Sequence, residues 1–402
     1  MDTDATTSDE RENRIAWLFV LAVLGILAVP GLMLLRETEV PVAADEQRTL
    51  AKLPGWPTSG TEVRTLPTRF QMYVDDHFGF RNALLNTQHR LQFAVWGQPT
   101  LNPTPAANPL LNQAAAARIS NDVLVGRHGW LFFKGDRVLD DARGLRPFSD
   151  EDLAAWTAAF EQNRRMLAER GIEYVVVFVP NKISVYPEHL PQGIHFEEAG
   201  RRLPQLISSL REVSEVEVLD QTQFLRGLKS EFPCYYQTDT HWNEPGAYYA
   251  LHHLFQHLDI DPVSLPALRK LSLKELTTSG RDLARMIGLG TTLSETTLEL
   301  SAEQFPRSRA IPLTEEAPSA GVCTQFRNSG GESGAGRVML VHDSFGLEWY
   351  PWLAEECAEL TCCWSFGIDF KRIEDAKPDL VIHQIVERML PVRNPEELRS
   401  GN

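Results

Sequence analysis

The stretch IEYVVVFVP, residues 172–180, constrains the fold of this chain more than any other. Its run of β-branched residues lacks alternating polar positions, which is typical of a strand covered on both faces. A helical pattern precedes it, from a capping Ser149 to a terminating Gly171, and a second strand, VEVLD, follows at 216–220. Strands that alternate with helices predict a central parallel sheet between two helical layers, an α/β/α domain.

The rest of the chain repeats this alternation. Short strands flank the turn 126–129, and later patterns predict helices at 201–214 and 246–258 and strands at 337–346, 357–364 and 378–390. With a net charge of −15 and a pI near 5.3, the chain lacks the basic surface that nucleic acids or anionic membranes attract. We therefore expect no nucleic-acid partner.

Residues 15–35 carry no charge and lie between Arg14 and Arg36. A membrane-spanning helix needs about 20 apolar residues, whereas the apolar core of a signal peptide has about 7–15. The sequence thus favours an uncleaved anchor over the alternative, a cleaved signal peptide. We expect a cytoplasmic tail at 1–14, the transmembrane anchor at 15–35, a juxtamembrane linker and helical region at 36–119, and the α/β domain at 120–395.

Five cysteines are present, and none of them forms a C-x-x-C pair, so a thiolate zinc site is not predicted. An exported domain can oxidise some of them. Their odd number leaves at least one unpaired, and the sequence does not reveal the pairing.

The stretch TDTHWNEPGA, residues 238–247, carries a carboxylate and an imidazole two positions apart. In an extended segment, the side chains of Asp239 and His241 lie on the same side. A carboxylate that binds one ring nitrogen of histidine prepares the other nitrogen to act as a base. The alternative is a turn that caps the helix predicted to begin near Gly246.

A second stretch, VMLVHDSFG at residues 338–346, runs from an apolar strand into a predicted helix start. Ligands of α/β proteins bind at the carboxyl ends of the strands, where Ser344 is expected. Backbone N–H groups at the helix start suit a developing oxyanion. The alternative role for Ser344 is a helix N-cap. If the two stretches meet, Asp239 orients His241, His241 acts as base, and Ser344 is the nucleophile.

Several stretches together resemble the SGNH-hydrolase-like proteins of alginate O-acetylation, the AlgX/AlgJ family. The block Asp239-Thr240-His241-Trp242 followed by Gly246-Ala247 is similar to the family's D-T-H-W-x-x-x-G-A segment. Ser344 occupies a matching downstream position, so the D-x-H block precedes the serine, as in the family. Supporting similarities lie at 75–85, 126–136, 179–191 and 378–390, and the resemblance spans roughly residues 45–392.

The resemblance implies an SGNH-hydrolase-like fold and acetyl transfer to an exported polysaccharide, alginate or another exopolysaccharide. It implies an acetyl-Ser344 intermediate and no bound cofactor. The implied partners are the polysaccharide, a membrane-bound O-acyltransferase that supplies the acetyl group, and other export proteins. The implied location is the bacterial inner membrane, with the catalytic domain in the periplasm.

Four further residues are candidates for contact with substrate. Lys182 and Arg388 can hold a carboxylated sugar, and Trp242 can stack on a sugar ring, although structural roles are open for all three. His342 stands where the wider superfamily usually has glycine, two residues before the serine. It is therefore expected either to crowd the oxyanion site or to contact the substrate.

Other functions remain open from the sequence. An acetyl-esterase would use the same triad, and a non-catalytic scaffold of an export complex would keep it unused. A metal-dependent hydrolase would recruit Asp239, His241, His342 and Asp343, with His253 and His257 at helical spacing. No metal is expected, since metalloprotease helices place a catalytic glutamate between their histidines.

Overall fold

The computed structural model describes residues 17, 42–43, 48–49, 53–57, 60–77, 122–263, 265, 272–301, 310–313, 321–329 and 334–398. The chain divides into two compact units, residues 1–92 and 93–402. The described strands are β1 Val42–Ala43, β2 Arg48–Thr49, β3 Val123–Val125, β4 Leu131–Phe133, β5 Glu173–Val179, β6 Glu217–Asp220, β7 Leu273–Ser279, β8 Ser294–Leu300, β9 Ala310–Pro312, β10 Cys323–Asn328, β11 Ala335–His342, β12 Cys357–Trp364 and β13 Leu380–Val386. The described α-helices are α1 Gly60–His77, α2 Val138–Ala142, α3 Asp150–Ala168, α4 Lys182–Val185, α5 Arg202–Val213, α6 Thr222–Leu228, α7 Glu244–His257, α8 Asp282–Met286, α9 Tyr350–Glu356 and α10 Phe370–Ala376.

In the first unit, α1 spans Gly60–His77 and lies inside the region 36–119 that was predicted to combine a linker with helices. The predicted anchor at 15–35 lies outside the described residues, apart from Trp17, and the predicted tail at 1–14 lies wholly outside them. None of the helices in the described part of the chain combines the length and apolar character needed to cross a bilayer.

The second unit is built on a seven-stranded sheet with the order β6-β5-β13-β11-β12-β10-β9. The first five strands are parallel, as the alternating pattern predicted. β10 and β9 extend the sheet antiparallel at one edge, which was not predicted. The sequence of β10, CTQFRN, has neither the apolar run of a central strand nor a clear alternation, which explains why the pattern missed it.

Alternation along β5 shows how the sheet separates two cores. Val175, Val177 and Val179 pack on one face with residues from α7 and α9, whereas Val176 and Phe178 pack on the other face with α3 and α5. The side chains therefore cover both faces, as expected for a strand without polar positions. The predicted Ser149 cap is confirmed, because its hydroxyl accepts from Asp152 N–H at 3.1 Å.

A disulfide joins Cys323 of β10 to Cys363 of β12, which lie directly opposite each other in the antiparallel pair. Cys234, Cys357 and Cys362 are buried free thiols. The disulfide closes a segment that contains β11 and the first residues after it, and so it fastens the edge of the sheet next to the strand that ends at residue 342.

Candidate active site

Polar residues 238–241 form a tight loop immediately before α7. Its ends are closed by a bridge between Tyr235 and Trp242 and by Asn243 N–H donating to Cys234 O at 2.9 Å. Asn243 caps α7 by accepting from Gly246 N–H at 2.9 Å. A Cβ at Gly246 would lie 2.2 Å from Cys234 O, so this position requires glycine. The cap therefore belongs to Asn243, and Asp239 and His241 are not needed for it.

Ser344 follows the end of β11 at the carboxyl edge of the sheet, where ligands of α/β proteins bind. Asp343, not Ser344, caps the short 3₁₀-helix Ser344–Trp349, since its Oδ1 accepts from Phe345 N–H at 2.9 Å. Asp343 Oδ2 also accepts from Val386 N–H at 2.6 Å. The half-buried Ser344 hydroxyl is consequently available for other bonds.

Asp239, His241 and Ser344 form a continuous hydrogen-bonded chain. His241 Nδ1 lies 2.7 Å from Asp239 Oδ1, and His241 Nε2 lies 2.8 Å from Ser344 Oγ. With the carboxylate accepting from Nδ1–H, Nε2 is left as the acceptor for the serine hydroxyl. His241 lies two positions from Asp239 and 103 positions from Ser344 in the sequence. In the structure, the three side chains have the arrangement of the orienting acid, the base and the nucleophile of a serine hydrolase.

The electrostatics of Asp239 suit an orienting carboxylate. Burial alone would raise its pKa, but the hydrogen bonds and charge interaction with His241 outweigh burial and hold the pKa of Asp239 well below its usual range. Asp239 Oδ1 also accepts from the main-chain N–H of His241 at 3.1 Å. The carboxylate is therefore ionised at neutral pH and fixes both the backbone and the ring of His241.

Lys182, at the start of α4, lies beneath this loop. Its ammonium donates to the main-chain carbonyls of Tyr236 and Gln237, each at 2.9 Å, and to that of Asp239. The side chain is buried, and all three of its donors are used. Lys182 is thus placed as a support of the loop, and no donor remains for a sugar carboxylate.

The segment from β7 to β8 braces the loop from the other side, a role that the sequence did not indicate. Asp282 accepts from Thr240 N–H at 2.9 Å and from its hydroxyl at 2.7 Å. Glu295 accepts from Thr238 N–H at 2.8 Å. Burial, followed by the charge of Asp239, raises the pKa of Asp282. No local motif marks these acids, because they act only through contacts made across the fold.

Arg388 lies at the mouth of the site. Its Nη2 is 3.4 Å from Ser344 Oγ, and its guanidinium carbon is 5.2 Å from the centre of the Phe345 ring. Arg388 forms no ion pair with any carboxylate among the described residues. The preceding Glu387 faces the interior instead, where it is paired with the buried Arg201. Arg388 is therefore a half-buried cation available to an anion formed at Ser344.

The donors available to an oxyanion are fewer than the sequence suggested. Phe345 N–H and Gly346 N–H both donate to Asp343, at 2.9 and 3.1 Å. Ser344 N–H has no acceptor among the described residues. The Ser344 N–H and the Arg388 guanidinium are thus the groups placed to stabilise negative charge here.

Trp242 and His342 are buried behind the site. Trp242 donates its indole N–H to Phe345 O at 3.1 Å and packs against Phe345 and Trp349. His342 Nδ1–H donates to Asp343 O, and its Nε2 accepts from the Tyr350 hydroxyl, both at 2.6 Å. Both side chains are fully buried, and these bonds occupy the polar atoms of each ring.

The residues that the structure clusters as possible metal ligands differ from the predicted ligand set. Asp239, His241 and Asp282 offer ligand atoms within 4.8 Å of one another. Both oxygens of Asp282 and Oδ1 of Asp239 already accept the hydrogen bonds described above. His342 bonds to Asp343 O and the Tyr350 hydroxyl, and Asp343 accepts from two main-chain N–H groups. His253 and His257 contact Gln221 and Glu217. The four predicted ligands are not brought together.

A family model described as an SGNH hydrolase-like domain of the acetyltransferase AlgX matches residues 123–349, more than half of the chain. The chain belongs to this AlgX-type family. The matched span includes Asp239, His241 and Ser344, and it confirms the resemblance drawn from their motifs.

Individual relatives of the AlgX-type chain are distant. The probable alginate O-acetylases AlgJ of Pseudomonas aeruginosa and Pseudomonas fluorescens are each 30% identical over 139 residues, which covers 31% of this chain and 30% of each relative. The match therefore spans less than a third of those proteins. The structure of Bacillus cereus PatB1 with a sulfonyl adduct aligns with a TM-score of 0.50 at 13% identity, covering 69% of this chain and all of that one. This likeness concerns the fold.

Proposed function

We propose that the chain is an O-acetyltransferase that adds acetyl groups to the hydroxyls of an exported polysaccharide, alginate or another exopolysaccharide. The observation that carries the proposal is the unbroken Asp239–His241–Ser344 chain, with bonds of 2.7 and 2.8 Å, inside an AlgX-type domain. An alternative is an acetyl-esterase with the same residues, because transfer and hydrolysis differ only in whether a sugar hydroxyl or water reaches the acyl-enzyme.

In the first half of the reaction, His241 Nε2 takes the proton of the Ser344 hydroxyl as Oγ bonds to the acetyl carbonyl carbon. The tetrahedral oxyanion is stabilised by Ser344 N–H and the Arg388 guanidinium. When the intermediate collapses, the bond to the donor's oxygen breaks, and that oxygen takes the proton from His241. Acetyl-Ser344 remains.

In the second half, His241 Nε2 takes the proton of an acceptor hydroxyl, whose oxygen attacks the acetyl carbon. Ser344 Oγ leaves and recovers the proton from His241. Asp239 remains ionised throughout and stabilises the imidazolium that forms twice per cycle. No metal or cofactor takes part in these steps.

The cellular setting is also a proposal. The uncharged segment 15–35 would hold the chain in the bacterial inner membrane as a single-pass protein, with residues 120–395 in the periplasm. The Cys323–Cys363 disulfide supports an oxidising compartment. There the acetyl group would come from a membrane-bound O-acyltransferase partner, in a complex with other polysaccharide export proteins.

The test compares transfer with hydrolysis. The full-length chain is incubated with p-nitrophenyl acetate, with and without oligomannuronate, and acetylated sugar is quantified by mass spectrometry. Transfer predicts acetylated oligomannuronate or another acetylated oligosaccharide from a panel, lost in Ser344→Ala and unaffected by EDTA. Release of acetate from acetylated polysaccharide without any transfer would favour the esterase, and inactivity towards every donor would favour the scaffold.

A further inference from the structure

A concavity opens at the carboxyl edge of the sheet, near the Asp239–His241–Ser344 chain. It encloses about 470 Å³ between the ends of β11 and β12 and the segment after β13. Asp343 and Met389 form part of its wall, and they are the chain neighbours of Ser344 and Arg388. The concavity therefore adjoins Ser344 and Arg388 along the chain, at the edge of the sheet where open α/β folds bind ligands. Its volume falls in the range of small-molecule sites.

The walls carry groups that suit a sugar ring. Trp364 at the end of β12 and Phe366 just after it are half-buried aromatic residues that line the concavity. The indole N–H of Trp364 has no acceptor among the described residues. Arg393 lies 5.5 Å from the centre of the Phe366 ring and is paired with Glu397 at 2.8 Å. An aromatic face and a few convergent polar groups are typical of a ligand site.

A smaller concavity of about 140 Å³ adjoins the larger one. The two share Trp364, and the smaller one runs past Cys363 to Asp369 and Arg372. Trp364 thus stands between two adjoining spaces.

The charges along this groove are balanced. Arg393 pairs with Glu397, and Arg372 pairs with Asp369 at 3.3 Å. Paired charges keep their remaining donors and acceptors for hydroxyl groups, and they provide little net attraction for an anion. The groove is therefore suited to the hydroxyl-rich face of a pyranose, whatever the charge of the polymer elsewhere.

We propose that Trp364 and Arg393 form an acceptor subsite, which binds a pyranose ring of the polysaccharide next to the ring that is acetylated at Ser344. The proposal rests on the proposed function for its choice of ligand. Stacking on Trp364 and hydrogen bonds from Arg393 and Glu397 would hold the acceptor chain while its neighbouring hydroxyl meets acetyl-Ser344.

The first experiment measures binding and needs no catalysis. Full-length Ser344→Ala protein is titrated with oligomannuronate and with cello-oligosaccharide by isothermal calorimetry and saturation-transfer NMR. The subsite predicts binding of at least one of them, weakened about tenfold by Trp364→Leu and by Arg393→Gln. Arg327→Gln, which removes an exposed ion pair with Glu359 away from the groove, is the matched control. Binding that is unchanged in both groove variants, or absent for both sugars, would overturn the subsite.

The second experiment separates this inference from the proposed function. In the transfer assay, the groove variants are expected to raise the KM for the acceptor about tenfold, well beyond any change in acceptor-free hydrolysis of p-nitrophenyl acetate. If the wild-type chain shows no transfer, the proposed function fails, while the calorimetric result still decides the subsite. If transfer occurs with an acceptor KM that both variants leave unchanged, the subsite fails and the proposed function stands.

Discussion

Lys182 donates one ammonium proton to the main-chain carbonyl of Asp239, so the backbone of the residue whose carboxylate contacts His241 is held in place by a buried cation. Two further bonds to Tyr236 O and Gln237 O spread this support over the whole turn. Burial lowers the pKa of Lys182 to about 8, although the negative charges of Asp282, Asp239 and Glu295 act to raise it. Keeping the ammonium charged in the interior therefore costs free energy. A buried charge of this kind is kept where its hydrogen bonds matter.

Replacing Lys182 by methionine should therefore displace His241, and it should lower activity more than it lowers the stability of the fold. We expect kcat to fall about 10- to 100-fold, because a displacement of about 1 Å at catalytic groups costs that much, while the KM for p-nitrophenyl acetate changes little. Steady-state kinetics with p-nitrophenyl acetate measures this. Lys229→Met is the control, since Lys229 binds Val185 O and Glu188 at the surface. Equal losses in both variants would show a general effect on folding.

Arg388 is expected to act on the oxyanion itself. Loss of one oxyanion donor lowers kcat by about 10²- to 10³-fold, and we expect Arg388→Gln to fall in this range with p-nitrophenyl acetate. The acetyl donor p-nitrophenyl acetate has no carboxylate. A loss of rate with this compound therefore excludes a role of Arg388 limited to binding an acidic sugar. Arg388→Lys should recover part of the rate. A variant that is impaired only with oligomannuronate, and not with cello-oligosaccharide or p-nitrophenyl acetate, would assign Arg388 to the sugar carboxylate.

The stability of the fold should fall in mild acid because of a buried neutral histidine. Burial lowers the pKa of His383 to about 4, while its ring bonds to the Tyr174 hydroxyl and Phe366 O. Between that value and about 6.5, the unfolded chain binds a proton that the folded one does not. His383 should thus remove about 2 kcal/mol of stability between pH 7 and pH 5.

Urea unfolding at the two pH values tests this. His383→Gln keeps a donor for Phe366 O. Between pH 7 and pH 5, its free energy of unfolding should fall by about 2 kcal/mol less than that of the wild type. His195→Gln, at an exposed position, should show the same fall as the wild type. An unchanged pH dependence in His383→Gln would show that other groups control the acid sensitivity.

The disulfide should matter to the stability of the sheet edge that leads to Ser344. It closes a loop with a sequence separation of 40, and a crosslink of this size contributes about 2–4 kcal/mol by restricting the unfolded chain. Dithiothreitol is therefore expected to lower the free energy of unfolding by that amount in the wild-type chain. A Cys323→Ser, Cys363→Ser double variant should already lack this stability and should not respond to the reductant. A response equal to that of the wild type would contradict the pairing.

Much of this architecture follows from local patterns. The strands of the parallel sheet and the cap at Ser149 were predicted, because each shows a pattern among residues close in the sequence. The motifs at 239–241 and 344 indicated which side chains should meet. The antiparallel pairing of β10 with β12 and the bracing acids Asp282 and Glu295 were not predicted, because they depend on partners more than 30 positions away.

The four substrate-contact candidates show the same limit. A sequence supplies the type of side chain but not its direction, and Trp242, His342 and Lys182 are all directed inward, whereas Arg388 is directed towards Ser344. Their burial follows from packing around Phe345, Trp349 and the 236–239 loop, which only the assembled fold defines. Trp364, the aromatic residue that does face a groove, stood inside a predicted strand without any motif.

The most direct measurement is the identity of the acetylated residue. The full-length chain is mixed with p-nitrophenyl acetate, quenched in acid within the first turnover, digested and mapped by mass spectrometry. We expect one acetyl group on Ser344, absent from Ser344→Ala and strongly reduced in His241→Ala, together with a burst of p-nitrophenol. A chain that releases p-nitrophenol at the same rate after Ser344→Ala, or that carries its acetyl group on another residue, would contradict the account.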